Sequence, residues 1–271
     1  MWIDTHCHLD AAEFDGDRDA VVQRARDAGV GMLVMPTGGV DDQPKARAIA
    51  QRHGFGYALG MHPLWLSAVV EADVERLRAA VQQALATGDH HLVAVGEIGI
   101  DLYEPGLDVA RQEWFFREQL RVARDAQLPV IVHVRRSADL LLKHLRRIEV
   151  PGGIVHAWNG SAQQAAQFVA RGFRLGFGGA LTYSGSQRIR RHAATLARDA
   201  WVLETDAPYI LPEWRRLPDR TEPSEPCDLA RIAAAMAELR GVSLAELQQT
   251  NRANAMAALP RLAALLDAAT R

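Results

Sequence analysis

The sequence is poor in cysteine and in lysine. Two cysteines, Cys7 and Cys227, cannot build a disulfide framework in 271 residues. That excludes a stapled secreted fold, and a reducing cytoplasm is the expected setting. Cys7 sits between two histidines, and on a strand it points away from them, as a small buried apolar residue would. Lysine is confined to Lys45 and Lys143, and arginine carries the rest of the basic charge. The formal net charge of −2 argues against a protein that coats polyanions broadly. No apolar run is long enough to cross a bilayer, and "MWIDTHCH" is already strand material rather than a leader peptide. No Gly/Ser/Pro-rich linker divides the chain, so residues 1–271 are expected to form one domain, working as a monomer.

What fills the chain is an alternation of apolar strands and helical patterns. The strands are "WIDTHCH", "VGMLVMPTG", "FGYALGMHP", "HLVAVGEIGID", "LPVIVHV", "GGIVHAW", "GFRLGFGG" and "AWVLETD". The helical patterns between them cover "DRDAVVQRARDAG" and then residues 41–53, 71–86, 107–127, 137–147, 161–171 and 186–197. After the eighth strand come the loop "LPDRTEPSEP", a helix over 227–240 and a last helical pattern over 244–266. Continuous apolar strands suit a sheet buried on both faces, and strand–helix alternation implies parallel pairing. Eight such units predict a (β/α)8 TIM barrel in preference to an open doubly wound sheet.

In such a barrel the chemistry lies at the C-terminal ends of the strands. His6 and His8 end the first strand, His62 the third, His133 the fifth and His156 the sixth. Glu97 and then Asp101 close the fourth, and Asp206 ends the eighth. The remaining histidines fall on helices or loops, where solvation or local hydrogen bonding accounts for them. Gathering this many titratable groups in one place is costly without a partner, and a divalent cation removes the cost. Imidazole and carboxylate suit zinc, and manganese or magnesium where carboxylates dominate. His6, His8, Glu97, His133, His156 and Asp206 are six ligands, more than one zinc takes, so two metal ions are expected. Glu97 is the expected bridge. His6, His8 and Asp206 would hold one ion, and His133 and His156 the other.

These motifs resemble those of the TatD family of metal-dependent hydrolases, and the resemblance runs over nearly the whole chain. "DTHCHLD" is similar to that family's H-x-H opening, and "VGEIGID" to its strand-four glutamate motif. "PVIVHVRRSAD", "GIVHAWNG" and "LETDAPY" resemble its third, fourth and fifth motifs. The double arginine Arg135–Arg136 departs from the commoner H-x-R-D form and looks like the YjjV-type branch. Thr221 stands where the family more often has asparagine. The resemblance implies a TIM barrel with a two-metal site and, for many members, deoxyribonuclease activity. The wider amidohydrolase superfamily often bridges its metals with a carboxylated lysine. Neither lysine here ends strand four, so Glu97 takes that place.

The expected activity is hydrolysis of phosphodiesters in DNA ends or short single strands by a two-metal-activated water, with nucleic acid as partner. Asp206 is the expected proton acceptor, aided by Glu97. The rival is a carboxylic ester or amide hydrolase with the same metal site, including one acting on aminoacyl-tRNA esters. His62 either contacts substrate or is a turn histidine before Pro63. Arg135 either binds phosphate or pairs with a carboxylate such as Glu204 or Asp139. Arg215, Arg216 and Arg220 form either a basic rim or a solvated loop. Trp65, Trp158 and Trp214 either stack on bases or pack under loops.

Overall fold

The computed structural model describes residues 1–216 and 222–269, so Arg220 and Thr221 lie outside the described residues. Eight strands form one parallel sheet in the order of the chain: β1 (Trp2–Asp4), β2 (Val30–Pro36), β3 (Gly56–Leu59), β4 (Leu92–Asp101), β5 (Val130–Arg135), β6 (Gly153–Val155), β7 (Phe173–Phe177) and β8 (Trp201–Leu203). Helices α1 (Arg18–Asp27), α2 (Gln43–His53), α3 (Asp73–Ala86), α4 (Val109–Ala126), α5 (Ala138–Leu145), α6 (Ala162–Val169), α7 (Gln187–Thr195) and α8 (Leu229–Arg240) follow the successive strands. This is a TIM barrel. Among the described residues no helix is long and apolar enough to cross a membrane.

The strands are almost wholly buried, and the ten residues of β4 are all so. Valine, isoleucine and leucine line them because helices cover one side and the barrel interior the other. Serine and aspartate start several helices: Asp108 accepts the Arg111 N–H at 3.0 Å, and Ser161 and Ser243 form capping boxes with Gln164 and Glu246.

Several strands are shorter than the pattern read in the sequence, and the two ends of the chain differ most. The strand expected over residues 2–8 stops at Asp4. Beyond it the Thr5 and His8 N–H groups turn to the β8 side, donating to Leu203 O at 3.1 Å and Ala207 O at 2.8 Å, and Asp206 N–H donates to His6 O at 2.8 Å. The helix expected over 244–266 is two, α9 (Leu244–Ala258) and α10 (Leu262–Ala269). Pro260 lies between them, lacking the N–H that a continuing helix needs.

Those bonds close the barrel between its first and last strands, and side chains reinforce them. Asn251 of α9 donates through Nδ2 to Ile3 O at 2.9 Å and accepts the Leu203 N–H at 3.0 Å. Asp4 accepts the Thr205 N–H at 3.0 Å and its hydroxyl at 2.6 Å. Burial pushes the Asp4 carboxyl up to about 7, against the opposing pull of these bonds. Elsewhere two glutamines one heptad apart on α4 fix strand ends. Gln119 bonds both the N–H and the carbonyl of Met61, at 2.7 and 3.1 Å. Gln112 does the same for Asp101, also at 2.7 and 3.1 Å.

Candidate metal centre

The barrel brings the strand-end residues together. Three groups of donor atoms each fall within 4.8 Å of one another: His6, His8 and Glu97; His6, His156 and Asp206; and His62, Glu97 and His133. All six residues expected as ligands are therefore in one cluster. The grouping differs from the expected division. His156 stacks on His6, with ring centroids 3.7 Å apart, rather than joining His133. His62, expected at the rim, lies inside the cluster, its Nε2 3.4 Å from Glu97 Oε1 and 3.2 Å from His133 Nδ1. The third strand ends early, at Leu59, and the following residues turn His62 inward.

Close backbone approach sets Glu97. Its N–H donates to Thr37 O at 3.2 Å, and Gly60 lies directly against it. A Cβ on Gly60 would come within 2.6 Å of the Gly96 carbonyl carbon, so only glycine lets the chain just after β3 pass this close. Asp206 has φ of +54°, a left-handed conformation that aspartate tolerates better than most residues and that turns its carboxylate into the site.

The donor set fits a divalent cation better than it fits itself. His6 Nε2 lies 3.2 Å from His8 Nε2, 3.1 Å from Glu97 Oε2 and 3.5 Å from Asp206 Oδ1. One ring nitrogen with at most one proton cannot bond all three, whereas a cation among them can. Burial raises the carboxyl of Glu97, but His62, His6 and His133 outweigh it and hold Glu97 well below its ordinary range. Burial likewise opposes ionisation of Asp206, and His156, His8 and His6 together hold it ionised.

Two further carboxylates stand behind the imidazoles. Asp101 Oδ2 lies 3.0 Å from His133 Nε2, opposite the nitrogen that faces Glu97. Burial would raise Asp101, yet the His133 bond and the Glu104 and Tyr103 N–H groups hold it at about 2. Glu204 Oε1 lies 3.0 Å from His156 Nδ1 and accepts the Ala157 N–H at 2.7 Å. Glu204 has room because Gly176 has no side chain: a Cβ there would lie 2.2 Å from its Oε2. Carboxylates of this kind fix ring orientation and raise the basicity of the inward nitrogen. Neither was singled out in that role from the sequence. The signal was present, since Glu204 lies two residues before Asp206 and Asp101 four residues after Glu97 on the same strand.

Around the mouth, Arg135 pairs with neither Glu204 nor Asp139. Its guanidinium stacks on Tyr103 at 3.8 Å and lies 3.9 Å from Asp101 Oδ2. Arg215 is bound to Asp228, with Nε to Oδ2 at 2.9 Å, so it braces its loop. Trp158 is buried, Trp214 donates to Asp228 at 2.8 Å, and Trp65 is 59% exposed. A cavity of about 20 Å³ lined by Trp158, Gly178, Glu204 and Asp206 adjoins the cluster. It has room for roughly one water. Lys45 and Lys143 sit on outer helices, paired with Asp15 and Glu113.

A parallel eight-stranded barrel that gathers five imidazoles and two carboxylates at the C-terminal ends of its strands defines a metal-dependent hydrolase. The family described as TatD related DNase matches residues 3–260, and the chain belongs to that family. It is 40% identical over 251 residues to the metal-dependent hydrolase YjjV of Escherichia coli K12, covering 92% of this chain and 93% of that one. It is 34% identical over 258 residues to the 3'-5' ssDNA/RNA exonuclease TatD of Cronobacter sakazakii, covering 93% and 95%. The crystal structure of E. coli YjjV superposes with a TM-score of 0.89 at 37% identity, covering 96% of this chain and 98% of that one.

Proposed function

We propose that this hydrolase is a phosphodiesterase acting on the ends of single-stranded DNA, and that it works with two divalent cations, zinc, manganese or magnesium. The reading takes residues 1–271 as one catalytic domain, monomeric and cytoplasmic. The observation that carries it is the convergence of His6, His8, His62, Glu97, His133, His156 and Asp206 at one end of the barrel. Glu97 is the shared ligand. His6, His8, His156 and Asp206 would hold one ion, and His62 and His133 the other. When bound, a cation pair supplies a water of lowered pKa and charge stabilisation on both the attacking and the leaving oxygen of a phosphodiester. The Cronobacter relative, a 3'-5' exonuclease on single-stranded DNA and RNA, supports this substrate class.

The chain's own residues do the rest. Asp206 is held ionised by the imidazoles around it, and it accepts the proton of the attacking water. A positioned base of this kind commonly contributes about 10²–10⁴-fold. Asp101 and Glu204 hold His133 and His156 in place. Arg135 offers a planar fork to a phosphate oxygen at the rim.

The test is direct. The purified protein is stripped with chelator, reloaded with zinc, manganese or magnesium, and assayed on single-stranded DNA, a phosphodiester dye and a carboxylic ester dye in parallel. Metal-dependent DNA cleavage that His133→Ala abolishes is the expected result. Ester cleavage without DNA cleavage would overturn it in favour of the ester or amide hydrolase.

A further inference from the structure

Tyr103, in the loop after β4, lies beneath two guanidinium groups at once. Arg135 sits 3.8 Å and Arg136 4.6 Å from its ring centroid. All three side chains are exposed. Arg136 is the second residue of the double arginine, and it stands where the commoner form of the motif has an acid.

We propose that Tyr103, Arg135 and Arg136 form a clamp for the phosphate that flanks the scissile one, making this chain select substrates with at least two phosphates. The proposal rests on the phosphodiesterase reading above.

Three observations point to an anion. First, the charge is unbalanced. Arg135 has Asp101 at 3.9 Å, but that carboxylate already holds His133 and the N–H groups of Tyr103 and Glu104. Arg136 pairs with no carboxylate among the described residues. Two like charges held by one ring repel, and an anion bound to them relieves this. Second, the backbone that carries the two arginines is pinned. Leu102 N–H donates to Arg135 O at 2.9 Å, and Arg135 N–H donates to Ser137 Oγ at 3.2 Å. Ser137 in turn donates a short bond to Ile100 O. Arg136 has φ of +58°, unfavourable for an arginine, so the backbone holds it in this place. Third, the clamp is joined to the metal cluster through one imidazole. Asp101 touches Arg135 on one side and His133 on the other, and His133 Nδ1 lies 3.0 Å from Glu97 Oε1. Stacked guanidiniums keep their N–H edges free, which suits bidentate binding of phosphate oxygens.

The experiment compares a thymidine dinucleotide, with one phosphate, and the trinucleotide, with two, in the metal-loaded protein and its Arg136→Ala variant. The substitution should raise KM for the trinucleotide about tenfold more than for the dinucleotide, the effect of one charge-assisted contact. In parallel, fluorescence anisotropy of a labelled trinucleotide is read on chelator-treated protein. Arg136→Ala, and separately Tyr103→Ala, should weaken binding about tenfold, and Arg136→Lys should recover it only in part, because lysine lacks the planar fork. Equal changes in KM for the two substrates, or unchanged binding by the metal-free variants, would overturn the clamp. Failure of the wild type to cleave either oligonucleotide would count against the phosphodiesterase reading, while the anisotropy result still decides the clamp.

Discussion

Replacing Asn251 by alanine should open the barrel at the junction of β8 with β1. The asparagine satisfies one group on each strand, Ile3 O at 2.9 Å and Leu203 N–H at 3.0 Å, from a fully buried position. Alanine leaves both backbone groups without a partner and in a place water cannot reach. Each such group costs about 1–3 kcal/mol, so roughly 2–4 kcal/mol is expected for the pair after partial relaxation. For a chain of this size that lowers the melting temperature by roughly 5–15 °C. Calorimetry on the metal-free protein reads this directly, and hydrogen exchange should show the Leu203 amide losing protection. The consequence for the site follows from position along the chain. His6 and His8 follow Ile3 closely, and Asp206 follows Leu203, so a loosened junction also weakens metal binding. Asn254→Ala is the control: its side chain bonds Arg198 O and Trp201 O at 2.8 and 2.7 Å and does not reach β1. It should lower stability but leave metal affinity close to wild type. A melting temperature for Asn251→Ala within about 2 °C of wild type, given the 2–4 °C per kcal/mol scale, with Leu203 still protected, would refute the reasoning.

Three other outcomes are expected. Gly176→Ala drives a methyl group into Glu204 and should cost about 1–3 kcal/mol in stability, with activity lowered as His156 loses its support; urea unfolding and turnover measured together check this. Asp101→Asn should lower metal affinity or activity about 10–100-fold, the usual effect of removing a carboxylate behind a ligating histidine, as read by titration with manganese. The third concerns acid. Burial raises Asp89, but Tyr57 hydroxyl, Arg47 and the His91 N–H outweigh it and hold the carboxyl below its ordinary value. The stability it contributes is therefore present above the unfolded pKa of about 3.9 and is lost as pH falls through the lower folded value. Asp89→Asn should be less stable than wild type at pH 7 and the gap should close toward pH 2, measured by urea unfolding of metal-free protein.

The barrel was legible because parallel strands buried on both faces leave uninterrupted apolar runs, and helices between them leave a different period. The ligand candidates were legible for a related reason: a charged or imidazole side chain at the end of such a run has few bland explanations. Strand length was not legible. Residues 5–8 look like strand, but Thr5, His6 and His8 bond across to the β8 side while Cys7 N–H donates to Val34 O of β2. His62 was read at the rim because it ends the third strand pattern, as a substrate contact or a turn histidine before Pro63, and a strand end does not say which way its last side chain points. The pairing of His156 with His6 depends on ring rotation at the barrel axis, which spacing cannot supply. Gln112, Gln119 and Asn251 were passed over, since a buried amide bonded to strand backbone has the same letter as one in solvent.

The junction between β1 and β8 also has a consequence for synthesis. Translation releases His6 and His8 first, Asp206 some two hundred positions later, and Asn251 later still. Until the last part has emerged, the two early imidazoles have no opposite wall to face. The cradle is therefore braced only after α9 has been made, and a product cut short before α9 would carry the histidines with the β1–β8 junction unsupported.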